Sequence, residues 1–156
     1  MNPNIENIVR ELIDNSIHMS LATVSENKPW VCEVHFVYDE GLNLYWRSLP
    51  SRRHSKELMK NPYVAGNIVK QHSLEEYPSA IYFEGTGEVI DDDKEIKKLF
   101  PLFAKRLGAK PEIIDEAKTT EGHKFYKVTV STWYAFGKFG SDKGAKHTLQ
   151  WQGNSK

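Results

Sequence analysis

The chain has a single cysteine, Cys32, in 156 residues. One thiol excludes an internal disulfide framework and a multi-cysteine zinc site. No apolar run approaches the ~20 residues that a membrane-spanning helix needs. The opening stretch MNPNIENIVRELID is amphipathic and acidic and holds no apolar signal core, so a cytoplasmic protein without membrane association is expected. Net charge is also missing, because 21 Lys and Arg balance 21 Asp and Glu. That balance gives no general pull toward nucleic acid or anionic lipid, so any anion site must be local. The 6 histidines show no metal-ligand spacing, and no metal is expected. No Ser-His-Asp arrangement or paired-carboxylate site stands out. Repeats, low-complexity blocks and linkers are absent, and the length suits one domain, 1–156, with a proper core.

What the chain has in quantity is aromatic side chains: 4 Trp, 7 Tyr and 7 Phe. They suit a β-rich core and also stacking on a flat ring. Asn2-Pro3 reads as a cap with proline at the first helical position, and Ile5, Ile8, Val9, Leu12 and Ile13 then share one helical face. His18–Ser25 reads as a strand. Trp30–Tyr38 alternates, with Trp30, Cys32, Val34, Phe36 and Tyr38 on one face and Val31, Glu33, His35 and Val37 on the other. Asp39-Glu40-Gly41 is a hairpin turn, and Leu42–Arg47 returns with Leu42, Leu44 and Trp46 on one face.

A short helix over Ser55–Lys60 is stopped by Asn61-Pro62. Tyr63–Lys70 and Ser79–Ile90 are strands, and Gly85 and Gly87 mark a bulge or a close backbone approach. Asp91–Asp93 caps a helix through Leu107, kinked or restarted at Pro101. Lys110–Gly122 carries no clear signal. Phe125–Trp133 is the last clear strand, and the tail is expected to be partly ordered or ordered by a partner subunit. Six strands joined by turns, with helices outside, predict a mainly β protein: a six-stranded antiparallel barrel with peripheral helices.

The stretch LYWRSLPSRRHSKEL carries the functional signal. A strand runs into a loop with two serines, and Arg52 and Arg53 stand at the mouth of a helix. Helix-start N–H groups and arginine forks suit a bound phosphate. A solvated basic loop opening an ordinary helix is the plainer alternative.

The order of MSLATVSENKPW, WVCEVHFVYDEGLNLYWRS, SLPSRRHSKEL, MKNPYVAGNIV and IYFEGTGEVIDDDKE resembles the FMN-binding split β-barrel of the pyridoxamine 5′-phosphate oxidase-like superfamily. The resemblance implies FMN as cofactor, with its phosphate held by Ser48, Ser51, Arg52 and Arg53. It places the isoalloxazine ring along Val31, Glu33, Val34, His35 and Phe36 and beside Trp46 and Arg47. It implies a homodimer with cofactor at the subunit interface, where Trp133, Tyr134, Lys138 and Trp151 of the second subunit complete the site or pack the interface. The true oxidase's Arg-x-x-x-x-Lys pattern is missing, because Val31 and Phe36 stand at those positions. The tail FGKFGSDKG is more similar to small bacterial members of the superfamily. The resemblance thus points to a flavin-dependent oxidoreductase acting on a small molecule, with no assigned catalytic residue. A non-catalytic heme- or flavin-holding protein and a deazaflavin-dependent reductase are the alternatives on this fold. His54 is a further candidate for the phosphate cluster or for a helix cap, and His54 or His147 for a heme ligand. His35 reads as a ligand contact or a structural histidine.

Replacing Arg52 and Arg53 together by alanine is expected to remove charge-assisted contacts of about 1.5–3 kcal/mol each. FMN affinity should fall by orders of magnitude while riboflavin, which lacks the phosphate, is little affected; titration of both flavins checks this.

Overall fold

The computed structural model describes residues 4–139 and 142–153. The expected cap at Asn2-Pro3 lies outside them. Helix α1, Ile5–Asp14, is capped by Asn4, whose side chain accepts from the Asn7 N–H at 3.1 Å. Its face of Val9, Leu12 and Ile13 is buried. Strands β1, His18–Ser25, and β2, Lys28–His35, form a hairpin whose turn places Glu26 and Asn27 at positive φ.

The expected single strand Trp30–Tyr38 is broken. β2 ends at His35, Phe36 leaves the ladder, and β3 is only Val37–Tyr38. Phe36 and Val37, which alternation puts on opposite faces, are both fully buried. They enter two different cores, and that is possible only because the chain turns between them. The turn that follows is tied by Asp39, whose carboxylate accepts from the Asn43 backbone, the Asn43 side chain and the Tyr45 hydroxyl. The left-handed residue there is Leu42, not Gly41.

β4, Leu44–Ser48, feeds helix α2, Arg53–Lys60. β5, Tyr63–Val69, and β6, Ala80–Ile90, follow. The β6 ladder shifts register between Glu84 and Gly85, where an added Cβ would lie 2.2 Å from the Thr129 carbonyl oxygen. The bulge signal in the sequence therefore has a packing cause. α3 runs unbroken over Asp93–Leu107 with Pro101 inside it, starts on Asp92 and ends on left-handed Gly108. A short α4, Glu112–Glu116, lies in the stretch that carried no sequence signal. β7 is Lys124–Phe139, longer than the expected Phe125–Trp133, and its hairpin partner β8, Asp142–Gln150, comes from the same chain's tail.

The sheet has eight strands rather than the expected six, in the order β2-β1-β5-β6-β7-β4-β3 with β8 on β7, and it is not closed. The expected count fell short because the hairpin strand divides in two and the tail folds back. The two ends of that order, β2 and β3, are consecutive in the chain with only Phe36 between them. The sheet must therefore curl until its edges meet at Phe36, joined by the chain but not by a ladder: a split barrel. Its interior holds Leu21, Leu44, Trp46, Phe83, Val128 and Trp133. A second core packs Val37, Tyr45 and Phe125 of the sheet under Ile96, Leu99 and Phe103 of α3.

Arg106 of α3 holds the break. Its Nε donates to the Phe36 carbonyl at 3.1 Å, and its guanidinium also donates to the carbonyls of Ile13 and Ser16. It lies 4.9 Å from the centre of the Phe36 ring and 5.1 Å from that of Tyr38. Burial pushes its pKa down, but a guanidinium stays charged at any ordinary pH. Arg106→Leu is expected to remove the guanidinium donor from these carbonyls, of which, among the described residues, only Ile13 keeps another, the Ser16 N–H, and to lower stability by about 3 kcal/mol, read from urea unfolding.

Candidate functional site

The split leaves strand edges unpaired. Among the described residues β2 pairs only with β1, and Trp46, Arg47 and Ser48 of β4 pair only with β7. Between these two edges opens a cleft of about 710 Å³. Glu33, Val34 and His35 line it from β2, and Arg47 and Ser48 from β4. Arg52 and His54 enter from the mouth of α2. Phe103 and Leu107 of α3, with Ala109, Ile113 and His123, form the remaining wall.

One end of the cleft gathers hydrogen-bond donors. A turn closed by the Arg52 N–H on the Leu49 carbonyl carries the chain from β4 into α2. The helix starts on Arg52, which gives no side-chain cap, so first-turn N–H groups are left for another acceptor. The Arg52 side chain is exposed and makes no ion pair among the described residues. Behind it, Ser48 Oγ and His54 Nε2 are 2.8 Å apart and buried. Burial, then the neighbouring Arg52 charge, pushes the His54 pKa down. His54 is therefore neutral at pH 7, and the Ser48 hydroxyl bonds to an uncharged ring.

Arg53 points elsewhere. Its Nε donates to Glu57 Oε1 at 2.7 Å, and its guanidinium covers the Trp30 ring at 4.5 Å. Buried Glu57 also accepts from the Thr23 hydroxyl at 2.6 Å. That bond first, and Arg53 second, hold its carboxyl below the usual range. The cluster seats α2 on β1. Ser51 and Arg53 line a separate hollow of about 380 Å³ with Lys28, Lys56 and Lys60.

The other end of the cleft holds a network the sequence reading missed. Glu116 accepts from the His123 ring Nδ1 at 2.6 Å and from the His123 backbone at 3.2 Å through one oxygen. Its other oxygen accepts from Arg47 Nη2. The His123 bond first, and Arg47 with it, pull the Glu116 carboxyl down to about 2 despite partial burial. The Arg47 Nε is buried without a partner, and the guanidinium lies 5.3 Å from the Phe125 ring centre. Glu116 and His123 are 7 residues apart in a polar stretch, so no periodicity links them.

Of the residues expected at the cofactor, Glu33, Val34, His35, Arg47, Ser48 and Arg52 meet in the cleft. Val31 is 60% exposed on β2, outside it. Phe36 and Trp46 are fully buried, Trp46 stacked on Tyr126 at 5.2 Å. Neither lines the cleft. Trp133 is fully buried in its own barrel against Phe83, and Trp151 Nε1 donates to the Gly41 carbonyl at 2.8 Å. The His18 ring lies against that of His35 across the β1–β2 ladder, their centres 4.3 Å apart and their planes tilted. Cys32 is half-buried, and burial raises its thiol pKa.

The Glu116 carboxyl, held low in the folded protein, adds stability above its ordinary value near 4.5 and loses it as pH falls toward about 2. Because the carboxylate is 39% exposed, screening limits this to about 1 kcal/mol. Glu116→Gln should therefore be destabilised by about that amount at neutral pH and match the parent near the bottom of that range, read from urea midpoints against pH.

Comparison with known proteins adds the family. The pyridoxamine 5′-phosphate oxidase model matches residues 5–137. No curated protein matches the sequence. Among solved structures, the chain is similar to a heme-binding protein from Mycobacterium smegmatis, with TM-score 0.73, 17% identity, and coverage of 96% of this chain and 59% of that one. It thus spans little more than half the length of that relative. A putative 5-nitroimidazole antibiotic resistance protein from Bacteroides thetaiotaomicron gives TM-score 0.71 and 17% identity over 86% of this chain and 85% of that one. HutZ, the heme storage protein from Vibrio cholerae, gives 0.66 and 16% over 96% of each. At such identities these likenesses show the fold alone. With a matched span running from the first helix through most of the last long strand, and the split barrel it implies present in the structure, the chain belongs to the pyridoxamine 5′-phosphate oxidase family.

Proposed function

We propose that the protein binds FMN in the cleft between β2 and β4 and acts as an oxidoreductase on a small molecule. The observation that carries this reading is the anion-ready end of the cleft: unpaired Arg52, the Ser48 hydroxyl and the uncapped first turn of α2 converge beside two unpaired strand edges. That donor set suits a phosphate monoester. The strand edges offer N–H and C=O groups to the polar rim of an isoalloxazine, and Phe103, Leu107 and Ile113 offer it an apolar wall. The flavin would supply hydride or electron transfer. The residues of this chain bind and orient it: Arg52 and Ser48 hold the phosphate, and the β2 edge from Glu33 to His35 faces the ring. Ser51 and Arg53 support the same loop from its far side.

A homodimer goes with this reading, the partner's tail closing the open side of the cleft. Trp30, Val31, Met59 and Tyr63 leave apolar surface exposed beyond the cleft for such a contact.

A second reading is favoured by one observation: His35, His54 and His123 all line the cleft. An imidazole-lined cleft of this family suits a heme held for storage or sensing without turnover, as the names of two structural neighbours suggest. A deazaflavin in place of FMN would use the same anion end.

An absorbance spectrum after adding FMN and desalting separates these readings. Retained oxidised-flavin bands support the first, and a Soret band after hemin addition, with no flavin retained, replaces it by the second. Arg52→Ala is expected to weaken FMN binding by about 10- to 100-fold and riboflavin binding little. Arg53→Ala should act mainly on stability, through Glu57. Unchanged FMN affinity in Arg52→Ala rejects the phosphate assignment.

A further inference from the structure

We propose that His123 is the acid–base residue of the cleft, with Glu116 and Arg47 as its positioning residues. The inference rests on the reading of the cleft as the ligand site, whichever ligand it takes.

The geometry points to one nitrogen. Glu116 takes both the His123 backbone N–H and the ring Nδ1 on one oxygen, which fixes the ring against rotation. Because a carboxylate can only accept, the hydrogen between them sits on Nδ1. A neutral ring held this way carries its lone pair on Nε2, and Nε2 has no partner among the described residues. The side chain is 45% exposed and lines the cleft. Nε2 therefore accepts a hydrogen bond when the ring is neutral and donates one when it is protonated, while the Glu116 bond stays the same. The step this allows is proton transfer only. The Nε2–H bond breaks as a bond from hydrogen to a ligand atom forms, and solvent returns the proton to Nε2.

Arg47 makes this arrangement durable. It reaches Glu116 from a sheet strand, so the carboxylate keeps its charge and its place. The other charged and titratable groups around the cleft are Glu33 and His35 on β2 and Arg52 and His54 on α2. Lys124, next to His123 in the chain, is turned away, donating to the carbonyls of Ala117 and Thr119. Of the cleft imidazoles, His54 has its Nε2 committed to Ser48 and His35 has its ring against that of His18. His123 is the one held by a carboxylate at its far nitrogen.

The test uses the full chain. Nitrogen NMR of the ligand-free protein at alkaline pH should show His123 with hydrogen on Nδ1 and bare Nε2, and Glu116→Ala should give a mixture of tautomers. Hydrogen on Nε2 in the parent overturns the proposal. FMN affinity is then compared between the parent and His123→Asn from mildly acid to alkaline pH. The titration of the FMN phosphate is common to both proteins and cancels. The ratio of their affinities should rise about tenfold in the parent's favour toward acid pH. A ratio independent of pH overturns the proposal. Failure of the parent to bind FMN at any pH rejects the flavin reading, and the tautomer then decides this inference by itself.

Discussion

Arg106 is the contact on which the site depends. A curled sheet whose two end strands are consecutive in the chain must break somewhere, and here it breaks at Phe36. The break frees the Phe36 carbonyl in a half-buried place, where a missing donor is costly. One guanidinium satisfies the carbonyls of Phe36, Ile13 and Ser16 and stacks on two rings. It thereby ties α3, the end of α1 and the seam of the barrel together. With the seam fixed, β2 and β4 diverge beyond it, and the cleft is the space they leave.

Charge in the cleft is divided by compensation. A guanidinium with a carboxylate partner is structural, and one without is available to a ligand. Arg53 and Arg47 are engaged by Glu57 and Glu116, whereas Arg52 is not. A neutral chain thus carries an uncompensated arginine in its cleft without any excess of positive charge over the whole molecule. The same logic fixes the imidazoles: His54 is kept neutral by burial beside Arg52, and His123 is anchored by a carboxylate that a second arginine keeps charged.

Much of the fold was legible because it is local. Alternation gave β1 its bounds, two glycines marked the β6 bulge, and aspartates marked the start of α3. The basic, hydroxyl-bearing loop before α2 was legible from residue types in order. The break at Phe36 was not, since alternating residues continue through it and only the change of ladder partner stops the strand. The tail strand β8 was also hidden, because its glycine and lysines carry weak strand preference and it forms by pairing with β7.

The sequence by itself determined most of the elements, the family and the presence of a basic, hydroxyl-bearing helix mouth, because each is written in neighbouring residues. Tertiary structure alone decided which arginine faces the cleft. Arg52 and Arg53 are adjacent, and one further step round the helix carries the second to Glu57 and Trp30. It alone joined Glu116 of α4, Arg47 of β4 and His123 of the loop before β7. A contact between distant residues has no periodicity for a sequence to display.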